Sequence, residues 1–116
     1  MIKIFKTAKS LQDGIDNMMA GAKEDYAQTM GRNDSAYTKQ KLENYESQTT
    51  VKEGKKYIKV IYDRSVFAFI VKEDFKHFRR GDVLKPAGWA APALNKPRGN
   101  VLEGNYPIQW TGPLYL

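Results

Sequence analysis

Six consecutive residues, Val66-Phe67-Ala68-Phe69-Ile70-Val71, carry no polar side chain, so an extended chain here presents apolar surface on both of its sides. A run of aromatic and β-branched residues of this kind suits a central strand and obliges the fold to cover both faces of its sheet. The segment before it alternates instead. Lys56-Tyr57-Ile58-Lys59-Val60-Ile61-Tyr62 puts Ile58, Val60 and Tyr62 on one face and Tyr57, Lys59 and Ile61 on the other. Asp63-Arg64-Ser65 is short enough to turn a hairpin between the two. A third strand is expected over Asp82-Val83-Leu84-Lys85, ended by Pro86, which has no amide to donate.

Helices are the natural cover. Between residues 10 and 30, Leu11, Ile15, Met18, Met19, Ala22, Tyr26 and Met30 recur at steps of three and four, with Ser10 placed to cap the first turn and Asp13 to complement its positive end. Gly31 is placed to stop this helix, and Asn33-Asp34-Ser35 to start another over about residues 35–48. That second helix has few large apolar residues, chiefly Tyr37, Leu42 and Tyr45, and reads as a surface element. After Pro92 the chain is rich in Pro, Gly and Asn, and is ordered only if Val101, Leu102, Tyr106, Ile108, Trp110, Leu114, Tyr115 and Leu116 dock on the sheet.

These elements predict an α+β fold, with N-terminal helices packed on a small antiparallel sheet and a Pro/Gly-rich C-terminal segment on its rim or other face. At 116 residues the chain is expected to be a single domain over 1–116, with residues 1–50 helical and residues 51–116 supplying the sheet and the Pro/Gly-rich segment. The absence of cysteine excludes disulfides, thiolate metal sites and a cysteine nucleophile, and favours a reducing compartment, a cytoplasm. No apolar run approaches the roughly 20 residues that cross a bilayer, and residues 1–6 lack the apolar stretch of a secretory signal. No membrane partner is expected.

Gly81-Asp82-Val83-Leu84-Lys85 leads into Ala87-Gly88-Trp89-Ala90-Ala91-Pro92-Ala93 and then Arg98-Gly99-Asn100. This order resembles small uncharacterised proteins of tailed bacteriophages, in which Gly-Asp-Val-x-Lys precedes Ala-x-Trp-x-Ala-Pro-Ala and Arg-Gly-Asn. The resemblance covers roughly residues 51–100 and implies a phage origin and a fold element, with no reaction attached. In that family a tight Thr-Gly hairpin joins the second and third strands, whereas here Glu73–Arg80 makes a longer connection, a short helix or an extended hairpin. Trp89, among small neighbours, is expected to fill the core that close chain approach creates, against the alternative that those neighbours leave its indole face open to a ligand. Arg98 could bind a phosphate, or clamp its own loop by bonding backbone carbonyls, which is the favoured reading.

Catalytic constellations are missing. His77 is the single histidine, so neither a zinc set nor a Ser-His-Asp arrangement has support beyond it. The pairs Glu24/Asp25 and Glu73/Asp74 are adjacent in sequence, so their side chains diverge in regular structure. No phosphate-cradling Gly-rich loop or dinucleotide fingerprint is present. No enzyme, cofactor or metal site is therefore expected. Charge is more informative: residues 1–50 are neutral, with seven basic and seven acidic residues, and residues 51–116 carry the whole excess of +6. Interleaving of Lys/Arg with Tyr57, Tyr62, Phe75 and Phe78 is the pattern by which phosphates are attracted and unpaired bases stacked. Two functions follow as expectations. The first is a phage accessory protein that binds a host or phage protein; the alternative is a basic nucleic-acid-binding module using Lys55, Lys59, Lys76, Arg79, Arg80 and Arg98.

Overall fold

The computed structural model describes residues 1–30 and 35–114 and runs, in chain order, β1 (Ile2–Ile4), α1 (Leu11–Met30), α2 (Ala36–Glu43), β2 (Thr49–Glu53), β3 (Tyr57–Tyr62), β4 (Ser65–Val71), β5 (Val83–Leu84) and β6 (Tyr106–Ile108). Two antiparallel sheets form, one of four strands in the order β2-β3-β4-β5 and one that pairs β1 with β6. The fold is α+β, as the sequence predicts. Strand β4 lies inside the larger sheet and is covered on both sides. Ala68 and Ile70 join the main core with Ile15, Met18 and Val60, while Phe69 and Val71 meet Phe78 and Leu84 in a second cluster.

Local chemistry sets the hairpin. Tyr62 pairs with Ser65, so the turn is Asp63-Arg64 alone, with Asp63 at a positive φ of 56° that an aspartate tolerates. Val60 pairs with Ala68 but Ile61 with Val66, which leaves Phe67 as the extra residue of a bulge and turns its ring into the main core. Between β4 and β5 the connection takes the hairpin form, not the helix: Phe75 and Phe78 exchange backbone hydrogen bonds of 3.1 and 2.9 Å around Lys76, at φ 52°.

Helix α1 starts where the cap predicts, Ser10 Oγ accepting from the Asp13 amide at 3.1 Å, and buries Ile15, Met18, Met19, Ala22 and Tyr26. Gly14 allows the helix to touch the chain after β5, since a Cβ there would stand 2.6 Å from the Val101 carbonyl oxygen. The placement of Gly31, Asn33 and Asp34 at helix ends lies outside the described residues. Helix α2 is shorter than 35–48: Ser35 caps it, accepting from Thr38 N at 3.2 Å, and it stops at Glu43. The reason is Tyr45, which turns inward and is buried, so the chain must leave the surface helix and bend into β2. The C-terminal segment docks through Val101, Tyr106 and Ile108, with Leu102 and Trp110 half-buried; Tyr115 and Leu116 lie outside the described residues.

Burial also governs the tyrosines. Desolvation pushes the Tyr62 phenol up to about 12 and the Tyr45 and Tyr106 phenols above their usual value of 10.0. A phenol raised in the folded state contributes stability that is complete below its unfolded value and is lost as pH rises through the folded one. The contribution of these tyrosines to stability should therefore be complete up to about pH 10 and be lost as pH rises above it, through about 12 for Tyr62. In an alkaline titration followed at the tyrosinate absorbance band, some of the signal should appear late and together with loss of near-ultraviolet circular dichroism. All seven tyrosines ionising near pH 10, with the fold intact, would contradict this burial.

Candidate nucleic-acid interface

Alternation along β3 sends Ile58 and Val60 into the main core and leaves Tyr57 and Lys59 on the other face of the sheet. Cross-strand pairing extends Lys59 into a row, Lys52 on β2, Lys59 on β3, Phe69 on β4 and Leu84 on β5. The row is apolar at its buried end and cationic toward the β2 edge. Tyr57 stands beside it, edge-on to Phe69 at 5.9 Å and to Phe75 at 5.9 Å, and burial raises its phenol above the usual value. Lys56 places its ammonium 5.5 Å from the Phe75 ring.

Trp89 corrects the sequence expectation. It is not a core residue: 54% of its surface is exposed. Pro86 and Pro92 face each other, Ala87 and Gly88 both donate to the Ala91 carbonyl at 3.0 and 3.2 Å, and Ala93 donates to the Lys85 carbonyl at 2.8 Å. The segment is thus a tight finger with Trp89 at its tip. Its small residues serve the turn and not a packed interior, since Ala87, Ala90 and Ala91 are exposed and a Cβ at Gly88 would meet nothing within 4 Å. The indole leans over the sheet, with Lys59 Nζ 4.5 Å from the Trp89 ring and 5.8 Å from Phe69. Beside the finger lies a groove of about 240 Å³ lined by Lys52, Glu53, Lys55, Lys56, Tyr57, Lys59 and Ala90, among others, with the Glu53 carboxylate paired to Lys72 at 2.8 Å.

The six basic residues proposed from sequence separate accordingly. Lys55 and Lys59 line this groove. Lys76, Arg79 and Arg80 sit on the 73–80 connection, where Arg79 pairs with Glu103 at 2.6 Å and the Arg80 amide donates to Asp74 at 2.7 Å. The Glu103 carboxylate holds the Arg79 guanidinium above its usual value. Arg98 is a clamp, as favoured: Nε donates to the Leu114 carbonyl at 3.0 Å, and Nη1 to Asn95 Oδ1 at 2.7 Å and the Lys96 carbonyl at 2.9 Å. Lys85 helps, donating to the Pro113 carbonyl at 2.9 Å, and burial together with the Arg98 charge lowers its ammonium from the usual value. Lys52, Lys56 and Trp89 are the members that the proposed set lacked. The period-two alternation of β2 and β3 could have supplied Lys52, but nothing in composition marks Trp89 as exposed.

The remaining polar motif residues close the fold. Asn100 Nδ2 donates to the Arg80 carbonyl at 2.9 Å and to Asp82 Oδ1 at 3.0 Å, and Asn100 Oδ1 accepts from the Leu102 and Glu103 amides at 2.9 and 3.1 Å. Asp82 Oδ2 accepts from the Arg79 amide at 2.9 Å. His77 is exposed, its ring tilted against Phe78 with centroids 4.0 Å apart and Nε2 3.3 Å from the Asn95 carbonyl oxygen. Among the described residues no group of three His, Cys, Asp or Glu could hold a metal ion, and no helix is long and apolar enough to cross a membrane.

The chain belongs to a family of unknown function, DUF7717, whose model matches residues 3–116. No curated protein and no solved structure matches it.

Proposed function

We propose that this chain is a phage-encoded, non-catalytic module that works in the host cytoplasm and binds single-stranded nucleic acid in the groove beside the Trp89 finger. One observation carries the reading: an exposed indole stands beside a groove lined by four lysines and Glu53 on a sheet face, and Lys59 of that groove lies 4.5 Å from its ring. Stacking on an aromatic side chain tolerates any base, and lysines that follow the backbone neutralise phosphate without reading sequence. Exposed Lys52 and Lys55 flank the groove where a phosphate chain would run. A duplex hides its base faces, so the preference is for single strands.

Salt and charge reversal test it. If Lys52, Lys55, Lys56 and Lys59 meet phosphates, log affinity for a short oligothymidylate should fall with log salt at a slope of about −2 to −3, from about −0.7 per contact. Lys52→Glu with Lys55→Glu should weaken binding to every sequence alike and flatten that slope, while Arg79→Glu, a residue already paired with Glu103, should change it much less. Equal binding by the Lys52/Lys55 reversal would sink the reading. The second reading is a protein partner, favoured by Trp89 and Leu94, each at least half exposed. Capture of a partner from lysate that survives nuclease treatment yet is lost with Trp89→Ala would establish that one instead.

A further inference from the structure

We infer that the rings of Tyr26, Tyr62 and Trp110 form a binding site for an organic ammonium group, a site that the chain keeps filled with its own Lys41. The three rings come from α1, from the end of β3 and from the turn after β6. Lys41 Nζ lies 4.6 Å from the Tyr26 centroid, 5.3 Å from Trp110 and 5.5 Å from Tyr62. Each distance is within the reach at which a ring's negative face attracts a cation, and three such faces around one ammonium make a cage.

The walls are held independently of their occupant. Tyr26 and Trp110 meet edge to face at 5.3 Å, and Tyr62 stacks at 4.5 Å on buried Tyr45. The Trp110 amide donates at 2.9 Å to the carboxylate of Asp25, a residue only 2% exposed, which also accepts from the Met1 amino group. None of these contacts involves α2. The helix that carries Lys41 is lightly seated by comparison, with Thr38 its one buried residue and Leu42 packed half-buried against the main core. Lifting α2 would empty the cage without dismantling it.

A way in is present. A polar depression of about 270 Å³ opens beside Lys41 and Tyr62, lined also by Tyr37, Gln40, Asn44, Gln48 and Asp63. Its side chains offer amide oxygens and the Asp63 carboxylate, and Lys41 is the one cation among them. The mouth therefore favours cations, in contrast to the lysine groove on the other face of the sheet. A methylated ammonium sheds its water more readily than a primary one and keeps its charge, so it should displace Lys41 in such a cage. The ligand class is a quaternary ammonium, carried by a small amine or by a trimethylated lysine of a peptide.

The test uses Trp89→Phe, which leaves Trp110 as the single tryptophan of the two. In this background, with and without Lys41→Ala, tetramethylammonium chloride is titrated against sodium chloride at constant ionic strength while Trp110 emission is followed. Saturable binding is expected in both, at least tenfold tighter once Lys41 is removed, and Tyr62→Leu should abolish it. The thermal midpoint of Lys41→Ala, however low, should rise with tetramethylammonium and not with sodium, because a ligand of the folded state stabilises by linkage. Choline and a trimethyl-lysine peptide, each beside its unmethylated counterpart, then identify the source by which binds tighter. Absence of both the saturable response and the midpoint shift in Lys41→Ala overturns the inference.

Discussion

Replacing Asn100 with alanine is expected to destabilise the fold by about 3–5 kcal/mol, a large share of the roughly 5–15 kcal/mol that holds a domain together. The side chain is 5% exposed and makes four hydrogen bonds, two given and two received. Truncation strands the Leu102 and Glu103 amides, the Arg80 carbonyl and one oxygen of Asp82, and each buried group left unpaired costs about 1–3 kcal/mol. The sum is held below four full penalties because water can reach the more exposed partners once the side chain is gone. Denaturant titration measures the loss directly. A second variant, Asn100→Asp, keeps the acceptor but sets a carboxylate against Asp82, and should be nearly as damaging. A change below about 1 kcal/mol for Asn100→Ala would mean that the loop closes without this network.

Trp89→Ala should behave in the opposite way. A buried tryptophan would cost about 3–5 kcal/mol on truncation, but a ring at the tip of an exposed finger should cost no more than about 1 kcal/mol. Affinity for single-stranded DNA should nevertheless fall about 5- to 150-fold, the equivalent of about 1–3 kcal/mol for one stacked base. Trp89→Phe should recover some of it. Circular dichroism and thermal melting give the first quantity, and fluorescence anisotropy with a labelled oligonucleotide gives the second. A variant that melts early would return Trp89 to the core, and one that binds DNA undiminished would remove it from the site.

How far the sequence reaches is visible in individual elements. The stripe Leu11, Ile15, Met18, Met19, Ala22 and Tyr26 and the double-sided run Val66–Val71 were legible because each imposes a period or a burial on its own neighbourhood. Strands β1 and β6 were not. Each has three residues, β6 carries Pro107 at its centre, and each exists only because the other pairs with it across almost the whole chain. Trp89 shows the same limit in the site: Gly, Ala and Pro around a tryptophan fit a packed interior and a tight finger equally well, and only the path of the backbone decides between them. The lysines were legible as a population. Which of them share a groove depends on register, which pairs Lys52 with Lys59 and leaves Arg79 to Glu103 and Arg98 to backbone carbonyls.

The pairing of Ile2–Ile4 with Tyr106–Ile108 also bears on how the chain is made. At about 5–20 residues per second, the first strand leaves the ribosome on the order of 5–20 s before the partner it needs. For that interval Ile2 and Ile4 have no ladder to join, and α1 has no β6 to lie against. The β3–β4 hairpin, with its two-residue turn, forms meanwhile from neighbours in sequence. Nascent chains stalled before residue 106 should therefore be trapped by hydrophobic-binding chaperones through their first strand and α1, and release should coincide with emergence of the last strand.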